Sequence, residues 1–295
     1  MVTGIIDAHH HLWDLSVRDQ PWLDATEMAP IRRSFSLADL RPSAAATGVD
    51  ATVLVQTVDV SAETPELLAL AAADPLVAGV VGWTDLTSPA VADDLARLAA
   101  GHGGEYLVGI RHLVQSEPDP DWLRRPDVIG GLQAVAAAGL CYDLVVRPHQ
   151  LAAATYAAGA VPGLTMVLDH AGKPPVTSGH LAAWTAALRA FAARPNTVCK
   201  LSGLVTEAPA GTPLAAFVPV ADVVLDAFGP QRIMFGSDWP VCLLAADYAT
   251  VIRLARSLVA GLSEAELASV FTSTAAKAYG IAAGHAAVPK HRGRE

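Results

Sequence analysis

Short apolar runs rich in β-branched residues recur along the chain at Gly4–Asp7, Ala51–Gln56, Val77–Trp83, Leu107–His112, Cys141–Val146, Thr165–Leu168, Val198–Ser202 and Ile233–Phe235. Runs this short and this apolar read as strands buried on both faces. Between them lie alanine- and leucine-rich stretches with apolar positions at helical spacing: Leu67–Ala73, Val91–Ala100, Val128–Ala138, Leu151–Ala158, Leu181–Ala193, Leu214–Phe228 and Ile252–Val259. The first connection, from Leu12 to Val49, is long and carries charge and proline; it predicts a loop over the site and then a helix near Leu37–Thr47, which Pro42 weakens. A last helix is expected over Glu264–Tyr279, with Ser263 and Glu266 at capping-box spacing.

Strands that alternate with helices predict a parallel sheet. Eight such units predict an α/β fold of one domain, a distorted (β/α)8 TIM barrel with an additional C-terminal helix, over residues 1–283. An open doubly wound sheet is the alternative, but no G-x-G-x-x-G follows the first strand and no phosphate-binding loop occurs. The basic tail 284–295, with Gly284, Pro289 and Gly293, is expected to be disordered.

Composition removes several classes of function. A net charge of −9 excludes the basic footprint of a nucleic-acid partner. No apolar run reaches the roughly 20 residues that span a bilayer, and no leader precedes the first strand, so a cytoplasmic location is expected. Cys141, Cys199 and Cys242 form no C-x-x-C pair and are expected to be small buried residues in a reducing compartment. Oligomeric state leaves no mark on the sequence.

The chemistry lies at the strand ends, where parallel barrels carry their sites. The first strand ends in Asp7-Ala8-His9-His10-His11, the third in Trp83-Thr84-Asp85 and the fourth in Arg111-His112. The fifth holds Tyr142-Asp143, the sixth ends in Asp169-His170, the seventh holds Lys200 and Ser202, and the eighth ends in Gly236-Ser237-Asp238-Trp239-Pro240. On an extended strand alternate side chains share a face, so Ile5, Asp7, His9 and His11 are expected to point one way and His10, as a structural residue, the other. Two imidazoles on one face can bind one metal or clamp one substrate oxygen. His170 is either a third imidazole at that centre or a structural residue, and Asp238 either a ligand or base there or a helix N-cap. Gly236 permits close backbone approach. Lys200 interrupts an apolar run; its amine either reaches the barrel mouth or pairs with a nearby carboxylate.

The stretches Ile6-Asp7-Ala8-His9-His10-His11-Leu12-Trp13, Gly109-Ile110-Arg111-His112, Tyr142-Asp143-Leu144, Asp169-His170-Ala171-Gly172-Lys173-Pro174, Lys200-Leu201-Ser202-Gly203 and Phe235-Gly236-Ser237-Asp238-Trp239-Pro240 resemble the amidohydrolase-related family. The closer likeness is to its branch of sugar-lactone and pyrone-dicarboxylate lactonases. The resemblance implies hydrolysis of a cyclic ester, with His9, His11, His170 and Asp238 in the catalytic places. Two-metal members of the superfamily carry a bridging ligand on the fourth strand and a histidine ending the fifth. This sequence has neither, so the resemblance implies one divalent ion, zinc, on His9, His11, His170 and Asp238, or metal-free catalysis.

In this reading Asp238 is the base for the attacking water, and the three histidines supply donors to the oxyanion directly or by holding the ion. Arg111, His112, Asp143, Lys200 and Ser202 are expected to contact the substrate's oxygens, and Trp83 and Trp239 to offer flat apolar faces. A neutral sugar lactone of the fuconolactone or rhamnonolactone sort is expected ahead of a pyrone dicarboxylate, since only Arg111 sits directly at a strand end. Arg32, Arg33, Arg124 and Arg125 lie in loops that could supply a second carboxylate clamp, and Arg147 follows the fifth strand. The rival readings are a metal-dependent decarboxylase and a non-catalytic ligand-binding barrel.

Overall fold

In the computed structural model, which describes residues 4–281, every apolar run becomes a strand and pairs in parallel with the next. The strands are β1 (Ile5–His10), β2 (Val49–Val55), β3 (Val77–Gly82), β4 (Leu107–His112), β5 (Cys141–Leu144), β6 (Met166–Leu168), β7 (Thr197–Leu201) and β8 (Ile233–Phe235). The ring closes just past the end of β8: Asp238 N donates to His9 O at 2.8 Å and His11 N to Trp239 O at 2.7 Å. The backbone that completes the barrel is therefore the backbone of three of the four expected catalytic residues. The architecture is the expected (β/α)8 barrel; the expected tail lies outside the described residues.

Eight helices surround the strands: α1 (Leu37–Thr47), α2 (Glu63–Ala73), α3 (Val91–Ala100), α4 (Pro126–Ala137), α5 (Leu151–Ala160), α6 (Ala182–Ala192), α7 (Leu214–Phe228) and α8 (Tyr248–Leu258). Pro42 does not break α1, which starts at a Ser36–Asp39 capping box and stops at Gly48 in the left-handed region. α2 begins four residues before its apolar pattern does. Its first residue, Glu63, is buried and accepts bonds from Thr57 N and Val58 N, an interaction that apolar spacing does not reveal. The last helix starts at the expected Ser263–Glu266 box and runs as α9 (Glu264–Ala268), a π-helical turn (Ser269–Ser273) and α10 (Thr274–Tyr279). Among the described residues no helix is long and apolar enough to cross a membrane. All three cysteines are buried and free, as expected.

The apolar core has two layers. The larger lies between strands and helices. The smaller fills the barrel, with Ile6, Ala8, Val53, Val55, Val167 and Met234 packed against Tyr279 and Ile281 at the end of the last described helix. That helix lies at the N-terminal ends of the strands, where Cys141 Sγ meets Ala278 O at 2.8 Å and Thr272 Oγ1 donates to Gly4 O at 2.8 Å. The far end of the barrel is left free for chemistry.

Above this apolar floor the interior turns polar in one step. Tyr279 reaches up and donates to Asp143 Oδ2 at 2.8 Å. Lys200 Nζ bonds Asp143 Oδ2 and lies 3.1 Å from Asp169 Oδ1. Arg111 Nη1 donates to Asp169 Oδ2 at 3.0 Å, and its Nη2 to Gln56 Oε1 at 3.0 Å. Two cations and two carboxylates thus neutralise one another with almost no exposure to solvent. Burial raises the Asp143 carboxyl, with Lys200 opposing. Burial acts the same way on Asp169, but Lys200 and then His9 overcome it and hold that carboxyl low.

Removing one member of such a buried pair leaves an uncompensated charge, which typically costs about 3–5 kcal/mol. Lys200→Met is therefore expected to lose about that much stability in urea denaturation, and Lys200→Met combined with Asp143→Asn to recover part of it. A single variant within about 1 kcal/mol of wild type would show that the layer is not held together by this pair.

Candidate active site

The histidine motif is set in place by an irregularity in β1. Asp7 pairs with Thr52 of β2 and His10 with Leu54, so three steps along β1 match two along β2. This is a bulge of one extra residue, and it reverses the alternation of side chains beyond it. Ile6 and Ala8 join the barrel interior. Asp7 turns outward, accepting bonds from Ser237 N (2.8 Å) and from Tyr248 of α8 (2.9 Å). The expectation that Ile5, Asp7, His9 and His11 share a face is thus corrected: Asp7 ties β1 to the β8 loop, and only His9 and His11 face the mouth. His10 points away from it to Thr52 Oγ1 at 2.9 Å, and burial pushes its imidazole down to about 3.

Three imidazoles meet one carboxylate at the mouth. Asp238 Oδ1 lies 3.4 Å from His11 Nε2, 3.6 Å from His9 Nε2 and 3.9 Å from His170 Nε2. His9 and His11 bring their Nε2 atoms within 3.1 Å of each other. His170 and Asp238 reach this point from left-handed backbone, at φ 53° and 58°, a conformation uncommon outside glycine. The approach is close enough to require glycine beside it: a Cβ on Gly236 would lie 2.6 Å from His9 Cβ, and one on Gly203 would lie 2.4 Å from His170 Nδ1. Burial raises the Asp238 carboxyl, but the neighbouring His170, His11 and His9 imidazoles outweigh it and hold it well below the usual carboxylate range. Burial lowers His9 and His170, against the pull of Asp169 on the first and Asp238 on the second.

Each ring is oriented through its other nitrogen. His11 Nδ1 donates to Val55 O at 2.8 Å, which leaves the Nε2 lone pair facing the mouth. His170 Nδ1 is held by Ser202 Oγ at 2.9 Å. His9 Nδ1 sits 3.2 Å from Asp169 Oδ1 and 3.1 Å from Lys200 Nζ. His9, His170 and Asp238 each offer one atom to a common space, all within 4.8 Å of one another. Imidazole nitrogens backed by carboxylate, hydroxyl and carbonyl, and a carboxylate that is readily ionised, fit one divalent cation.

Several residues expected to contact substrate are placed elsewhere. Asp143 and Lys200 lie fully buried in the floor layer and bond each other. The Arg111 guanidinium is held by Asp169 and Gln56, and Ser202 by His170. Trp239 is buried with its ring edge-on to Phe35 at 5.3 Å. Each of these five side chains already has a partner within the protein. Trp83 and His112 do stand at the rim, where Trp83 Nε1 donates to His112 Nδ1 at 3.1 Å.

Other residues at the site carried no signal that periodicity could detect. Asp59 follows β2, whose end carries no candidate residue in the sequence analysis. Glu117 and Trp122 come from the loop after β4: Glu117 accepts from His112 Nε2 at 2.6 Å, and Trp122 stacks on its ring at 4.3 Å. Asp169 was visible only as the neighbour of His170, though it binds both His9 and Arg111.

The chain is similar to known proteins over most of its length. An L-fucono-1,5-lactonase of Burkholderia ambifaria is 41% identical over 247 residues, covering 84% of this chain and 84% of its own. One from Burkholderia multivorans is 39% identical over 288 residues, covering 94% and 96%. A crystal structure of an amidohydrolase from Burkholderia multivorans with bound zinc superposes with a TM-score of 0.89 at 38% identity, over 95% of this chain and all of that one. The amidohydrolase family itself matches residues 6–281, so from the first strand to the last described residue this chain belongs to the amidohydrolase family.

Proposed function

We propose that the protein hydrolyses the ring ester of a sugar-derived lactone, an aldonolactone of the L-fucono-1,5-lactone type. The observation that carries this reading is the convergence of three imidazoles on the Asp238 carboxylate at the barrel mouth, in a chain about 40% identical to proteins of that activity.

Asp238 takes the proton of the attacking water on the carboxylate oxygen that faces the imidazoles. After the ring C–O bond breaks, the same proton passes to the departing alkoxide. A carboxyl held so low is always ready to accept a proton but is a weak base, so its help falls in the range of about 10²–10⁴-fold. The larger share must come from stabilising the charge that develops on the carbonyl oxygen, where each preorganised donor is worth about 3–4 kcal/mol. His9, His11, His170 and Asp238 would hold one zinc ion, which when bound supplies Lewis acidity to the carbonyl. Ser202, Asp169 and the Val55 carbonyl keep the three rings aimed at that point.

Charge at the rim favours a neutral substrate. The loop arginines that could form a second carboxylate clamp already have acidic partners: Arg32 with Asp24, Arg33 with Asp39, Arg124 with Asp121 and Arg125 with Asp127. Arg147 donates to Gln115 O, and Lys173 pairs with Glu207 at 2.8 Å. A dicarboxylate would have to displace these partners, whereas a sugar lactone offers hydroxyls to them.

Asp238→Asn is expected to fold as wild type and to lose at least about 100-fold in kcat, because asparagine cannot accept the proton. Near-normal turnover in a variant with unchanged circular dichroism would remove Asp238 from the mechanism. Elemental analysis is expected to find one tightly held zinc per chain; two stoichiometric metals, or full activity after exhaustive chelation, would overturn the ligand assignment. In a paired kinetic assay, kcat/KM is expected to favour L-fucono-1,5-lactone over 2-pyrone-4,6-dicarboxylate by at least about tenfold, on the scale of a lost charge-assisted clamp. The reverse preference would mean that the loop arginines leave their partners to bind substrate.

A further inference from the structure

At the rim of the barrel two carboxylates flank one imidazole. His112 lies flat on Trp122, with the ring planes 7° apart. An indole nitrogen can only donate, so the Trp83 Nε1 hydrogen goes to His112 Nδ1 and the His112 ring proton sits on Nε2. That proton is donated to Glu117 Oε1 at 2.6 Å. On the other side Asp59 Oδ2 lies 3.3 Å from Nδ1, where it faces a nitrogen that is already an acceptor. Asp59 is fixed by Gln56 Nε2 at 2.9 Å and by Leu113 N at 3.2 Å.

This arrangement leaves acceptor capacity unfilled. Glu117 uses one oxygen on His112, and among the described residues Asp59 Oδ2 has only the Leu113 amide, at 3.2 Å, as a donor. Among the described residues the buried Tyr142 hydroxyl has no hydrogen-bond partner, and after burial itself the Asp59 charge is the largest influence pushing it up. The Asp59 and Glu117 side chains are 24% and 25% exposed, so a ligand can reach both. The group is also wired to the reaction centre: Gln56, which donates to Asp59, accepts from Arg111 Nη2 at 3.0 Å, and Arg111 Nη1 stands 3.5 Å from His9 Nε2.

We infer that Glu117, held by His112, and Asp59, held by Gln56 and the Leu113 amide, are the specificity-determining acceptors for the hydroxyl groups of the substrate's sugar ring. A hydroxyl donating to a carboxylate makes a charge-assisted bond, and a site built to receive a hydroxyl discriminates strongly against an analogue that lacks it. Two carboxylates at the rim also repel a substrate that carries its own. The inference rests on the lactonase reading above.

The test compares two six-membered lactones, L-fucono-1,5-lactone and the unsubstituted δ-valerolactone, on wild-type protein and on Glu117→Ala and Asp59→Asn. In each variant the ratio of kcat/KM for the hydroxylated over the bare lactone is expected to fall at least about tenfold, mainly through KM, on the scale of a lost hydrogen bond to a charged group. A ratio that stays within tenfold of wild type, because both substrates suffer alike or neither does, overturns the assignment and leaves the lactonase reading intact. Wild-type protein that opens neither lactone overturns that reading as well. Asp59 also anchors the Leu113 backbone, so Glu117→Ala decides the matter if Asp59→Asn does not fold.

Discussion

A buried ammonium group between two carboxylates sets the level at which this barrel changes from packing to chemistry. Below Lys200 the interior is apolar and packed against the last described helix; at and above it lie Asp143, Asp169, Arg111 and the mouth imidazoles, joined by ion pairs and hydrogen bonds. Taken alone, an ammonium in such surroundings would be costly, and so would either carboxylate. Together, and with Arg111 completing the balance, they offer the site a floor of fixed dipoles. His9 stands on that floor, its Nδ1 within reach of both Asp169 and Lys200. The orientation of the reacting edge of His9 thus follows from a charge balance formed one layer below it.

The second constraint is the closure of the ring. Strands β1 and β8 meet not by a regular ladder but through the backbone of His9, His11, Asp238 and Trp239. Closure and catalysis therefore cannot be adjusted separately. The bulge in β1 turns two histidines inward, the left-handed turn at Asp238 brings its carboxylate back over them, and Gly236 makes room for both. Backbone in sparsely populated conformations persists only where its surroundings hold it. Here the Asp7 carboxylate does so, accepting from Ser237 N on one side and Tyr248 on the other.

Strand order, barrel closure and the four mouth residues were legible in the sequence because they depend on local signals: short apolar runs, helical spacing between them, and a polar residue where each run stops. The bulge was not. A strand's register is a property of the pair, and nothing in Asp7-Ala8-His9 says that β2 advances two residues while β1 advances three. Lys200 was ambiguous for a related reason: an isolated lysine in an apolar run must find a carboxylate, but which one depends on how β5 and β6 bring Asp143 and Asp169 beside it. The intramolecular partners of Asp143, Arg111, Ser202 and Trp239 are likewise absent from the sequence pattern, because all of them are distant along the chain. Asp59 and Glu117 escaped notice because loop carboxylates are common and their meaning here comes only from His112.

These dependencies imply a conflict between stability and function in the floor layer. Replacing a buried ion pair by well-packed apolar side chains is often neutral or stabilising by about 1–4 kcal/mol, because the desolvation cost of the charges disappears. By that measure the interior at Lys200 and Asp143 is not optimised for stability. The same replacement would leave Asp169 facing His9 with only Arg111 to balance it, and would free the His9 ring from one of its two anchors. A site whose carboxylate must stay ionised among three imidazoles cannot tolerate a shift of charge directly beneath it. The buried ammonium is therefore better understood as a requirement of the chemistry above it than as a contribution to the stability of the barrel.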